Sequence, residues 1–191
     1  MFDTSLGMSK LTLLDLSHNY LTFIEAHSFA SLTSLASLNL SHNRLSLLQF
    51  HLLTGLSHLK RLDVSCNRLS SVESQAFKTV QASLEDLDLS SNETLNYVSV
   101  GVFQHLTKLT RLDLANNQCT SLDSACFHTL TSLEQLNLSH NKLTYLAPGI
   151  FSKLAKLKSL KVSGNPIVKQ QVDYVKGLCT KKLNPLCVIT V

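Results

Sequence analysis

One spacing constrains this chain more than anything else in it. The pattern LxxLxLxxN begins at Leu11, Leu35, Leu59, Leu84, Leu109, Leu133 and Leu157, at intervals of 24, 24, 25, 25, 24 and 24 residues. Asn closes it every time, at Asn19, Asn43, Asn67, Asn92, Asn117, Asn141 and Asn165. Most units continue with a second apolar set, as in Leu21, Ile24, Phe29 and Leu32, or Leu143, Leu146, Phe151 and Leu154. Self-similarity at such a period marks a solenoid, in which one unit cannot bury its apolar face without its neighbours. The composition follows from the repeat: 40 of the 191 residues are Leu and 25 are Ser, against 6 Gly and 3 Pro. That balance excludes collagen-like, Pro/Gly-rich and highly charged disordered chains.

The spacing also dictates local geometry. Leu14 and Leu16 are two residues apart, so they leave a short strand on one side while Asp15 leaves it on the other. Strands from successive units then stack about 4.8 Å apart as a parallel sheet. The Asn turns inward where the chain leaves the sheet, and its carboxamide serves backbone groups that would otherwise be buried unpaired. The Phe column (Phe29, Phe77, Phe103, Phe127, Phe151) packs under the convex side, with Leu53 in the same slot of the second unit. Two units carry an extra residue, one at Asn92-Glu93-Thr94-Leu95 and one at Val80-Gln81-Ala82-Ser83-Leu84, and both insertions are assigned to loops.

A 24-residue LxxLxLSxN unit with a later FxxL resembles the "typical" class of leucine-rich repeats. Toll-like receptor ectodomains, variable lymphocyte receptors and small leucine-rich proteoglycans belong to that class. The resemblance covers residues 11 to about 167. It implies an α/β solenoid: a horseshoe with short parallel strands on the concave face and loops or short 3-10 turns on the convex face. It also implies a non-enzymatic, extracellular module that binds protein or glycan partners through the concave sheet. The expected organisation is a partial repeat or minimal cap over 1–10 and repeats over 11–167, of which the seventh, from 157, is truncated. A C-terminal cap with a short helix is expected over 168–191. The cap resembles a reduced form of the extracellular type, which opens with Asn-Pro and carries four cysteines. Here Asn165-Pro166 is present, Ile167 replaces the usual aromatic residue, and only Cys179 and Cys187 lie in the cap. The short helix is expected from Val168 to Lys176 with Gly177 as its C-cap.

With five cysteines, at least one is unpaired within the chain. Cys179–Cys187 is the preferred disulfide, since a cross-link would steady an irregular cap. A Cys119–Cys126 bridge is the alternative at the fifth unit, where Cys119 fills a Leu slot. Cys66 reads as a free thiol. No Cys/His set has zinc spacing, and no GxSxG, P-loop or HExxH motif occurs, so neither metal, cofactor nor catalysis is expected. No apolar run is long enough to span a membrane. The first residues carry no secretory leader pattern, which leaves a fragment of a longer ectodomain and a complete small protein both open.

Ligand-facing residues follow from the register. One column runs Asp15, Asn39, Asp63, Asp88, Asp113, Asn137 and Lys161; its neighbour includes Arg61, Asp86, Arg111 and Gln135. Arg61, Asp86 and Arg111 alternate in sign and can pair across strands. His18, His42 and His140 precede the Asn in three units; filling of the repeat is preferred there over a metal site or pH switch, and His18 and His42 are counted with the ligand-facing residues of the concave face. Asn39, Asn92 and Asn137 open glycosylation sequons, with Asn92 facing inward. The formal net charge of +4 hides an asymmetry, because residues 153–191 balance at +7 and the remainder at −3. Lys158, Lys161, Lys169, Lys181 and Lys182 therefore belong to one basic end that attracts anionic partners. The expected function is innate-immune recognition of microbial surface polymers or anionic glycans through the concave face and this end, by a monomer or weak dimer. A matrix or adhesion module with a protein ligand, and a cytoplasmic scaffold, are the alternatives. Nucleic acid is disfavoured for want of stacking aromatics.

Overall fold

The computed structural model describes residues 8–168, 170, 171, 173, 174, 177 and 188–190. Among the described residues twelve strands follow in chain order: β1 (Leu13–Asp15), β2 (Ser37–Asn39), β3 (Leu47–Leu48), β4 (Arg61–Asp63), β5 (Ser71–Val72) and β6 (Asp86–Asp88), then β7 (Tyr97–Val98), β8 (Arg111–Asp113), β9 (Ser121–Leu122), β10 (Gln135–Asn137), β11 (Ser159–Lys161) and β12 (Val188–Thr190). Eight of them form one parallel sheet in the order β1-β2-β4-β6-β8-β10-β11-β12. Two small parallel pairs, β3 with β5 and β7 with β9, line the outgoing segments. The molecule is the parallel-strand solenoid expected from the repeat.

Register is set by the central Leu of each three-residue strand. Leu14, Leu38, Leu62, Leu87, Leu112, Leu136 and Leu160 align across the sheet, and Ile189 continues the row. From Leu38 to Leu160 these side chains are essentially inaccessible. A slip of one residue would turn the whole row to water, so burial alone specifies the pairing. Phe77, Phe103, Phe127 and Phe151 form a second buried stack, with ring centroids 6.2–6.3 Å apart and planes within 18°. This offset arrangement is the favourable one for aromatic pairs.

The Asn ladder joins each coil to the one before it. Asn67 Nδ2 donates to the carbonyls of Val64 and Ser65 in its own coil and to Leu40 of the previous coil; its Oδ1 accepts the Leu45 N–H. Asn43, Asn141 and Asn165 repeat that arrangement. The insertion after Asn92 shifts it locally. Asn117 Oδ1 accepts from the N–H of Asn92 itself, at 2.7 Å, rather than from the residue two further on. The Thr94 hydroxyl donates to Leu69 O at 2.8 Å, the role played elsewhere by the N–H that follows the Asn. The insertion is thus accommodated by a substitute donor, and no buried polar side-chain atom is left without a partner among the described residues.

The residue before each Asn adopts the left-handed conformation in all seven coils: His18, His42, Cys66, Ser91, Asn116 and His140 have φ of 53–56°, and Gly164 has 70°. Asn and His tolerate this region better than most side chains. That explains the recurrent His at this position more directly than repeat filling does. At Gly164 the absent side chain also makes room for the His140 ring, whose Nδ1 would lie 2.5 Å from a Cβ there and would have to turn aside.

At the C-terminal end, residues 170, 171, 173, 174 and 177 are α-helical. Leu146 N–H donates to Gln171 Oε1 at 3.1 Å and Gly149 N–H to the Tyr174 hydroxyl at 2.8 Å, which fastens the helix to the sixth coil. Gly177 is itself helical, and the residues that follow it lie outside the described ones. Val188 and Ile189 add an eighth strand to the sheet, beside β11.

Candidate functional site

The concave face is built from the first and third residues of each sheet strand, which the buried central Leu holds outward. Its middle is charged and internally compensated. Asp86 lies between two guanidinium groups, 3.3 Å from Arg61 Nε and 3.7 Å from Arg111 Nε. Arg111 also reaches Asp113 at 3.9 Å. All these partners are partly exposed, so each pair contributes little to stability and mainly fixes side-chain position.

The second column has a structural task as well. Asp15, Asn39, Asp63, Asp88, Asp113 and Asn137 each accept, through Oδ1, the N–H two residues on. Six strand ends are closed this way, a local alternative to ladder pairing that short Asx side chains provide. Hydrogen bonds from Ser17 hold the Asp15 carboxyl below the usual range. Burial pushes Asp88 the other way, and the flanking charges of Asp113 and Asp63 add to it. Among the described residues neither Asp63 nor Asp88 has an ion pair.

Towards the C-terminal end the face opens into a depression of about 210 Å³ across β8, β10 and β11. It is lined by Arg111, Asp113, Gln135, Asn137, Ser159 and Lys161, over a floor of Leu112 and Leu136. Two cations therefore stand at opposite sides of a patch of carboxamides and a hydroxyl, groups that both donate and accept. Asn137 Nδ2 donates to Asp113 Oδ2 at 3.0 Å, Arg111 is shared between Asp86 and Asp113, and Lys161 is the lining cation with no carboxylate partner among the described residues. Lys158 is engaged by Glu134 at 2.7 Å. Of the basic end, Lys169, Lys181 and Lys182 lie outside the described residues, as do Cys179 and Cys187.

The other sequence candidates take simpler roles. His18 and His42 stack face to face, centroids 4.1 Å apart and planes within 10°, a contact between ring faces. Among the described residues no group of three or more His, Cys, Asp or Glu side chains is placed to hold a metal ion. Cys119 and Cys126 are both buried free thiols, so the alternative bridge between them is not formed. Burial pushes the Cys119 thiol up to about 12 and raises Cys126 as well. Cys66 is free and half-buried. Asn92 is inaccessible, whereas Asn39 and Asn137 are held by the hydroxyls of Ser41 and Ser139 at 2.7 Å. What the sequence missed is the depression itself: spacing supplied its columns but not the depth between coils. No helix among the described residues is long and apolar enough to cross a membrane.

Comparison with known proteins agrees with this geometry. The leucine rich repeat family profile matches residues 3–45, 57–118 and 107–167. Among solved structures, a leucine-rich repeat protein of Leptospira interrogans superposes with a TM-score of 0.82 at 26% identity, over 96% of this chain and 43% of that one. TLR13, in a complex with ssRNA13, gives 0.63 at 28% identity over 84% of this chain and 27% of its own. The Drosophila Toll–Spatzle complex gives 0.65 at 26% identity, covering 71% and 19% respectively. The chain thus spans less than half the length of each of these neighbours. No curated protein sequence matches significantly. With profile matches over most of its length and the coil geometry described above, the chain belongs to the leucine-rich repeat family.

Proposed function

We propose that this chain is a non-enzymatic, extracellular recognition module of innate-immune type that binds anionic glycans, including those of microbial surfaces. The observation that carries this reading is the depression between Arg111 and Lys161. Hydroxyl-rich sugars fit Gln135, Asn137 and Ser159, while an acidic substituent meets the two cations at either side. The basic end extends the same field: Lys153 and Lys156 are exposed, and Lys169, Lys176, Lys181 and Lys182 share its sequence region. Asp63 and Asp88 on the neighbouring strands set the other boundary and repel an anion from the central coils, while Asp113 inside the depression directs an acidic substituent towards Lys161. Likeness to Toll and TLR13 chains supports a receptor-type role, and the Phe-containing 24-residue unit supports the "typical" class shared with variable lymphocyte receptors.

Heparin serves as a soluble anionic glycan. Binding should fall steeply as salt rises, since exposed charges are screened over about 8–10 Å at moderate ionic strength. Replacing Arg111 and Lys161 together by Gln should weaken it about tenfold or more. Binding that is insensitive both to salt and to this double substitution overturns the proposal.

An adhesion-type role with a protein ligand is favoured by a different observation. Leu13, Tyr20 and Phe23 are exposed at the first coil, and Arg44 lies over the Tyr20 ring at 4.6 Å. Aromatic and Arg side chains are those that anchor protein interfaces.

A further inference from the structure

A second depression lies on the convex side, between the third and fourth coils, well away from the sheet. It encloses about 350 Å³ and is lined by Gln75, Lys78, Gln81, Gly101, Val102, Gln104 and His105. Sequence explains why it exists here. The third unit carries its extra residue directly after the 3-10 turn Lys78–Val80, at Gln81. In the fourth unit Gly101 occupies the position two before the Phe, which is Gln75 in the third unit and His51 in the second. The missing side chain leaves the wall open: a Cβ at Gly101 would meet only the Ser74 Cβ, at 3.3 Å.

The lining is polar and open to solvent. Gln75 and His105 hold left-handed backbones, φ 69° and 70°, and His27 does the same at the position matching Gln75 in the first unit, at 63°. The side chains of Gln75, Gln104 and His105 are exposed and, with half-buried Gln81, make no hydrogen bond among the described residues, so they are free to meet a ligand, while Val102 is buried beneath them. Lys78 lies 5.9 Å from the Phe50 ring, which draws the ammonium to one side of the opening.

We propose that this convex depression is a binding site for a single carboxylate-bearing sugar, of the uronic or sialic acid kind. Three carboxamides supply paired donors and acceptors for ring hydroxyls. Lys78 and His105 supply the donors for the carboxylate, and charge-assisted bonds of that kind are the stronger ones. The volume is at the lower end of ligand pockets, which suits one ring and not a chain. The site shares no residue with the depression on the concave face, so the two readings stand or fall separately.

The test uses the whole protein with N-acetylneuraminic acid, glucuronic acid and glucose as probes, followed by NMR titration. The expected result is that at least one acid perturbs Gln75, Gln104 and His105 resonances and binds about tenfold or more tighter than glucose. Lys78→Met should remove about tenfold of that affinity. Gly101→Leu, which fills the space, should abolish the Gln75, Gln104 and His105 perturbations, while Arg111→Gln with Lys161→Gln should leave those three perturbations and their midpoint unchanged. Because Gly101→Leu can disturb folding, Gln104→Leu provides a surface variant that should also weaken binding. The proposal is overturned if neither acid binds, if both bind no better than glucose, or if affinity follows Arg111 and Lys161 instead of Lys78.

Discussion

The first coil and the third are written in nearly the same letters and are held very differently. In the third, Leu62 and Val64 are wholly inaccessible and Asn67 makes four hydrogen bonds, two of them to the second coil. In the first, Leu11, Leu14 and Leu16 are only half-buried, Leu13 is exposed, and Asn19 bonds only to Leu16 O and Ser17 O within its own coil. The difference lies in position, not composition. A coil of this kind is stabilised from both sides, and among the described residues the first coil has a packed neighbour on one side, so fewer long-range bonds hold it.

The contrast predicts unequal costs for equal substitutions. The largest effect belongs to the Leu row. Leu87→Ala should cost about 2–5 kcal/mol, the usual cost of truncating a sealed Leu, whereas Leu14→Ala should cost less than half as much. Urea midpoints of the two variants decide it, and equal losses would mean that the first coil is as tightly sealed as the fourth. Next comes the ladder. Asn67→Ala strands the Leu45 N–H, removes one of the two donors to the Leu40 carbonyl, and should cost about 2–4 kcal/mol; Asn19→Ala should stay below about 1 kcal/mol. Hydrogen exchange at the Leu45 amide should accelerate in the former variant, and no amide of a preceding coil responds to the latter.

The smallest effect is in the Asp column and changes sign along it. Asp15 is depressed, so its contribution is present at neutral pH and is lost as pH falls through its folded value. Asp88 is raised, so the native state binds its proton more readily than the unfolded chain does, and stability falls as pH rises through that range. Asp88→Asn keeps the oxygen that accepts the Ser90 N–H and should therefore stabilise the protein slightly at pH 7 and not at pH 3. Asp15→Asn should be neutral or slightly destabilising at pH 7. Paired denaturation curves at the two pH values read both, and a stabilising effect of Asp88→Asn that persists at pH 3 would contradict the burial argument.

Much of the fold was legible because the repeat states it seven times. Period, strand placement, the inward Asn, the Phe stack and the alternating Arg61, Asp86 and Arg111 all follow from one register. What escaped was set by contacts between coils. The left-handed column before each Asn is a backbone property, and the variety of its occupants, from His18 to Cys66 to Ser91, hides it. Val188–Thr190 lies beyond the last repeat pattern, and only its seat beside β11 makes it a strand. The concave columns were legible and their depression was not, because a hollow is made by what neighbouring side chains leave unfilled. Gly101 illustrates the same point on the convex side.

The altered joint at Asn92 bears on how such a chain can change length. Coils whose joints are identical can be excised or duplicated in multiples of 24 residues, since the donor and acceptor brought together by the splice are the ones separated by it. Asn92 and Thr94 break that equivalence: Asn117 takes its bond from Asn92, and Thr94 supplies a hydroxyl that no other coil offers. The segments on either side of Asn92 are therefore interchangeable within themselves but not across it. The molecule is punctuated at that residue, and any natural or engineered shortening should spare the coils on both sides of it.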